Sequence, residues 1–134
     1  MHVMQDTRRR QGQGEFRDDL LDAYNSRCGL SDCDAVPALE AAHIVRHSGP
    51  ASNHIQNGIL LRADLHTLFD LDLFVIDPDT LTVAIDSSLQ GTCYGWLSGK
   101  RLNEPKRPEW RPSAKALRHR ALKGPRGGPT TDGA

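Results

Sequence analysis

Three polar side chains stand where apolar runs of this chain begin or end. Leu39, Ala41 and Ile44 belong to a short apolar strand that closes at His43. Ile59, Leu60 and Leu61 form a second run, opened by Asn57-Gly58. Leu65, Leu68 and Phe69 then recur at helical spacing, with His66 and Asp70 four apart on another face. An imidazole and a carboxylate one helical turn apart can grip one divalent cation. A further histidine, whose ordinary pKa lies near neutrality, can accept a proton. A strand, a loop, a second strand and a helix, with His43, Asn57 and His66 at the junctions, is a compact way to bring three polar groups to one point. Singly these residues mean little: a histidine after a strand is usually half-buried packing, an Asn before Gly usually a turn, and a helical histidine usually surface.

Together they carry a resemblance. The order His43, Asn57, His66 resembles the signature of the HNH endonuclease family. The surroundings match the bacterial subgroup: Ala41-Ala42-His43-Ile44, Asn57-Gly58-Ile59-Leu60-Leu61-Arg62 and Leu65-His66-Thr67-Leu68-Phe69-Asp70. The likeness runs from about Phe16 to about Leu122. It implies a ββα-metal fold, one divalent metal ion (Mg, Mn, Ni, Co or Zn) and cleavage of DNA to 5′-phosphate and 3′-hydroxyl ends. His43 takes the place of the general base, Asn57 that of the residue holding loop and histidine in register, and His66 that of a metal ligand on the helix. Phosphodiester hydrolysis requires a water deprotonated as it attacks, charge neutralised on the phosphate oxygens, and a stabilised departing 3′ oxygen.

Ala42 departs from the wider pattern, where Asp or His often precedes the base and binds the metal. Asp70 is the expected second ligand. Glu40 stands behind it, on the strand face of Ala42 by the period of two. His47 and His54, in the loop, are weaker candidates. A DNA-binding module on the same scaffold, without catalysis, is the alternative reading, because of Ala42.

The flanking elements set the fold class: α+β, a ββα-metal core with an N-terminal helix, an added β-hairpin and a C-terminal helix. Phe16, Leu20, Ala23 and Tyr24 predict a helix from Glu15 to about Arg27, with Asp18, Asp19 and Asp22 outward. The first core strand is expected over Ala38 to Ile44, and the metal-bearing helix runs to about Leu71 with Asp64 as its cap. Leu73 to Ile76 and Leu81 to Ile85 flank the turn Asp77-Pro78-Asp79-Thr80 and predict a hairpin. The stretch 92–102, with Tyr94, Trp96 and Leu97, is expected to pack irregularly on the core. Ser113 caps a last helix, with Leu117 and Ala121 four apart. Residues 1–14 and 124–134 read as disordered tails, leaving one domain over 15–123.

A chain of 134 residues suits one modest core. Mean hydropathy of −0.54 and the lack of a long apolar run argue against a membrane span. With no secretory signal, the expected location is cytoplasmic. Three cysteines, Cys28, Cys33 and Cys93, are too few and too scattered for a four-ligand zinc site and read as small buried thiols. Net charge is zero, but from Lys100 onward ten basic residues face three acids. Arg62, Lys100, Arg101, Lys106, Arg107, Arg118 and Arg120 are the candidate phosphate contacts, with Trp110 available to stack on a base. Breaking both strands would take a homodimer, one copy for each strand.

Overall fold

The computed structural model describes residues 13–46, 50–122 and 124. The tails expected at 1–14 and 124–134 fall largely outside these residues, as does His47. The elements in order are α1 (Gln13–Ala23), β1 (Leu39–His43), β2 (Gly58–Arg62), α2 (Ala63–Asp70), β3 (Phe74–Ile76), β4 (Val83–Ile85) and α3 (Ala114–Ala121), with short 3₁₀ turns between them. The fold is α+β, with a ββα core made of β1, β2 and α2.

Helix α1 buries Phe16, Leu20 and Ala23 and leaves Asp18, Asp19 and Asp22 to solvent. It ends earlier than its sequence suggests. Asn25 and Ser26 adopt φ of 55° and 57°, and the Ser26 amide donates back to the Leu21 carbonyl at 2.8 Å. Two consecutive left-handed residues turn the chain before Arg27 can join the helix. Arg17 fastens α1 to the start of the first strand, donating from Nε to the Leu39 carbonyl at 3.0 Å and from Nη2 to that of Val36 at 2.9 Å.

Strands β1 and β2 pair antiparallel, from Leu39 opposite Arg62 to His43 opposite Gly58. Gly58 is not there for a turn. Its φ is −135°, ordinary extended backbone. A Cβ at this position would lie 2.5 Å from Phe16 Cζ and 2.7 Å from Leu20 Cδ1. The glycine therefore makes room for α1 against the strand. Gly58→Ala is expected to cost about 1–3 kcal/mol by overpacking and to push the Phe16 ring aside. Denaturant unfolding checks the first effect, and a changed chemical environment at His43 checks the second.

The Cys28 thiol anchors the loop after α1. Its Sγ accepts from the amides of Leu30, Ser31 and Arg62 at 3.4, 3.3 and 3.3 Å, tying this loop to the end of β2. Only Cys28 is fully buried; Cys33 is partly covered and Cys93 is exposed, so the buried-thiol reading fits one of the three.

Helix α2 begins two residues earlier than expected, with Arg62 rather than Asp64 at its N-cap. Asp64 lies in the first turn instead. Its carboxylate holds Arg62 Nε at 2.7 Å and Nη2 at 3.1 Å, and accepts from Tyr94 Oη at 2.8 Å. These donors and the Arg62 charge hold its pKa below the usual carboxylate value, against the opposing effect of burial. Leu65 and Phe69 turn into the core, and Asp72, at φ 61°, ends the turn after α2.

The expected hairpin is present as β3 and β4, with Phe74 opposite Ile85 and Ile76 opposite Val83. Asp77 Oδ1 accepts from the amides of Asp79 and Thr80 at 2.8 and 3.0 Å, which closes the turn. In the following segment Leu97 is buried and Tyr94 packs on the core, but Trp96 is 43% exposed. Ser113 caps α3, its Oγ accepting from the Ala116 amide at 3.1 Å. The buried stripe of α3 runs through Leu117 and Arg120, three apart, and not through Leu117 and Ala121.

Candidate active site

Strand β1 carries polar groups to two different neighbours. Glu40 reaches α2: its Oε1 lies 2.7 Å from His66 Nδ1. His43, three residues on, stacks its ring on Phe16 of α1, with centroids 4.6 Å apart and planes 16° from parallel. An odd spacing along a strand puts side chains on alternate pleats, and these contacts follow that rule. The polar groups expected at one point therefore form two arms. One is His43 with the loop before β2. The other is His66, Asp70 and Glu40.

The loop arm is organised by Asn57. Its Oδ1 accepts from the Val45 amide at 2.9 Å, and its Nδ2 donates to the carbonyls of Val45 and Ser52 at 3.0 and 2.9 Å. One amide side chain thus joins the two ends of the loop that starts beyond His43. Asn53 accepts from His43: Nε2 and Asn53 Oδ1 are 2.8 Å apart. His54 is exposed and caps the next turn, its Nδ1 accepting from the Gln56 amide at 3.2 Å.

In the helix arm, His66 Nε2 lies 3.2 Å from Asp70 Oδ2, the expected pairing of residues four apart. Burial lowers the His66 pKa, but hydrogen bonds and negative charge from Asp70 and Glu40 outweigh it, and the net shift is upward. Burial raises that of Asp70, yet the His66 hydrogen bond and the charges of His66, Arg120 and Arg46 hold it below its ordinary value.

This donor set fits a divalent ion at one edge of the imidazole. Two donors about 2.1 Å from an octahedral ion stand roughly 3 Å apart when adjacent, close to the His66–Asp70 spacing. Glu40, expected as a replacement ligand for the missing one at Ala42, is committed to the opposite nitrogen. A carboxylate on Nδ1–H fixes the ring orientation and leaves Nε2 as the coordinating atom. Ala42 is fully buried and offers no donor. Among the described residues no group of three or more His, Cys, Asp or Glu side chains is arranged to hold a metal ion. Water and substrate oxygens would complete a shell begun by two protein donors.

The candidate phosphate contacts are mostly paired with acids. Arg62 holds Asp64, Arg101 holds Glu104 at 3.2 Å, Lys106 holds Asp22 at 3.0 Å and Arg107 holds Glu109 at 2.9 Å. Arg118 lies 3.8 Å from Asp79, and Lys100 is half-buried with its carbonyl accepting from the Val83 amide at 2.9 Å. Arg107 also sits over the Trp110 ring, 5.4 Å from its centroid. Exposed pairs of this kind are worth little and exchange readily, so they can still turn to a phosphate.

Arg120 cannot, and the expectation for it is corrected. It is 7% exposed. Its guanidinium donates to the carbonyls of Ile44 at 2.8 Å, His43 at 3.4 Å and Phe69, pairs with Asp72 at 3.2 Å and lies over the Phe69 ring. It thereby joins the end of β1 to the end of α2, the two arms just described. The signal in the sequence was a charge three residues from Leu117 on the apolar stripe of a short helix.

Residues 27–77 match the family model described as HNH endonuclease. Over that segment, which spans β1, β2, α2 and β3, the chain is similar to the HNH endonuclease family. Endonucleases of this family generally use a divalent metal ion. No curated protein matches the chain. No helix among the described residues is long and apolar enough to cross a membrane.

Proposed function

We propose that this chain is a metal-dependent endonuclease that hydrolyses DNA phosphodiester bonds, built as one domain over residues 15–123. The observation that carries the reading is His66, held between Asp70 and Glu40 on the helix that follows a strand ending in His43, inside the matched segment. His43 takes the proton of the attacking water. Asn57 keeps the loop beside it closed. His66 Nε2 and Asp70 would hold a divalent ion, and Glu40 sets the His66 ring through Nδ1. Bound there, the ion would supply Lewis-acid stabilisation of the charge that develops in phosphodiester hydrolysis. Mg²⁺ and Mn²⁺ suit the carboxylate, while the imidazole also admits Ni²⁺, Co²⁺ and Zn²⁺. Because His43 and Glu40, which holds His66, leave β1 on alternate pleats, the scissile phosphate lies across the His43 end of β1. Exposed cations such as Arg101, Lys106, Arg107 and Arg118 contact flanking phosphates, and cutting both strands takes two copies of this single site.

A second reading, a DNA-binding module without catalysis, draws on Ala42 and the two-donor metal set. Nicking of supercoiled plasmid separates the two. The enzyme is expected to nick in Mg²⁺ or Mn²⁺, to stop in EDTA and to resume when metal is returned. Retention of DNA with no cutting across all five metals would establish the module instead.

A further inference from the structure

We infer that Asn53 is the positioning residue for His43, fixing its ring and placing the proton on Nε2 so that Nδ1 is the basic nitrogen. The inference rests on the nuclease reading for its catalytic meaning but not for its geometry. Asn53 Oδ1 can only accept, so at 2.8 Å it requires the hydrogen on Nε2. The Phe16 stack sets the plane of the ring but suits either of its two flipped orientations; the Asn53 bond selects one of them. Together a stacked face and one fixed edge define the ring completely.

Two further observations support a role beyond turn formation. Asn53 Nδ2 is buried and has no hydrogen-bond partner among the described residues. An amide kept only for stability would satisfy both of its ends, since a buried unpaired donor costs free energy. The Asn57 side chain also donates to the carbonyl of Ser52, the residue immediately before Asn53. The asparagine of the family signature thus reaches the histidine through its neighbour: Asn57 holds Ser52, and Asn53 holds His43. Among the described contacts of His43, Phe16 is uncharged, and Arg120 donates to the His43 carbonyl oxygen at 3.4 Å.

The test uses the full chain labelled with ¹⁵N in histidine, together with Asn53→Ala and Asn53→Asp. Long-range proton–nitrogen spectra of the wild type are expected to show neutral His43 protonated on Nε2. Asn53→Asp keeps an acceptor and preserves that signature, whereas Asn53→Ala loses it to a mixture or a mobile ring. In plasmid nicking with Mn²⁺, Asn53→Ala is expected to lower turnover about 10- to 100-fold with little change in half-saturating DNA. Asn53→Asp restores most of the rate above neutral pH, and its carboxylate moves the acid limb up by about one unit. A merely structural asparagine would change the folded fraction and leave the tautomer of neutral His43 as in the wild type. His43 protonated on Nδ1 in the wild type, or an Asn53→Ala protein with wild-type spectrum and rate, overturns the inference. Should the wild type cut no DNA in any metal, the nuclease reading fails separately, and the spectra still decide the Asn53–His43 contact.

Discussion

His43→Ala is expected to lower the nicking rate by about 10²–10⁴, the range over which a positioned general base acts, while leaving a folded protein that still binds metal. The folding cost is small. The ring stacks on Phe16, and an aromatic pair of this kind is worth about 0.5–1.5 kcal/mol beyond its burial. A domain of this size has about 5–15 kcal/mol in hand. Metal binding survives because the donors sit elsewhere: His66 and Asp70 are on α2, and the strand contact to them comes from Glu40 on the other pleat. The pattern across three variants is therefore specific. His43→Ala loses cutting and keeps Mn²⁺ affinity by calorimetry. His66→Ala loses both. Glu40→Gln keeps an oxygen acceptor at Nδ1 and weakens metal binding about 10- to 100-fold, as loss of an outer carboxylate does. A His43→Ala protein that cuts near the wild-type rate, after repurification to exclude a contaminating nuclease, removes His43 from the role of base.

The parts of this arrangement that were readable in the sequence are those set by local chemistry. Strand alternation and helical spacing located β1, β2 and α2, and the turn residues from Asp77 to Thr80 located the second hairpin. The pairing of His66 with Asp70 follows from four-residue spacing alone. What could not be read depends on which face meets which neighbour. Glu40 was placed on the right side of the strand by its period, but its commitment to Nδ1 of His66 depends on how α2 crosses β1. Gly58 looked like a turn glycine beside Asn57; its real constraint is the Phe16 ring, forty-two positions earlier, filling the volume a side chain would need. Asn53 is absent from the sequence candidates because its side-chain contact is to a residue ten positions back. Arg120 stood in a basic segment, where charge suggests a surface. Its burial became visible only once α3 was seen packed across the ends of β1 and α2.

Arg120 consequently carries the second large effect. It lies well beyond residues 27–77, yet one guanidinium satisfies the carbonyls of His43, Ile44 and Phe69 and pairs with Asp72. Burial, with a smaller contribution from the Arg46 charge, lowers its pKa, and the negative charges of Asp72 and Asp70 offset part of that, so it stays a cation in use. Asp72 is 36% exposed and can rehydrate if abandoned, so the damage from Arg120→Ala comes mainly from the carbonyls. A buried acceptor left unpaired costs about 1–3 kcal/mol, and the cavity left by the side chain adds to that. The expected loss is about 3–5 kcal/mol, in the range measured when one partner of a buried charged pair is removed. For a domain of roughly 100 residues each kcal/mol moves Tm by about 4–8 °C, so melting should fall by roughly 12–40 °C. Arg120→Lys cannot rescue it fully, since one ammonium lacks the planar fork that reaches two chain segments at once. Below its lowered melting point the Arg120→Lys protein is expected to bind Mn²⁺ through the His66 arm and to cut slowly, because the His43 arm is no longer fixed against it. If Arg120→Ala melts within a few degrees of the wild type and cuts at its rate, the two arms are aligned by β1, β2 and α2 alone, and α3 is an appendage.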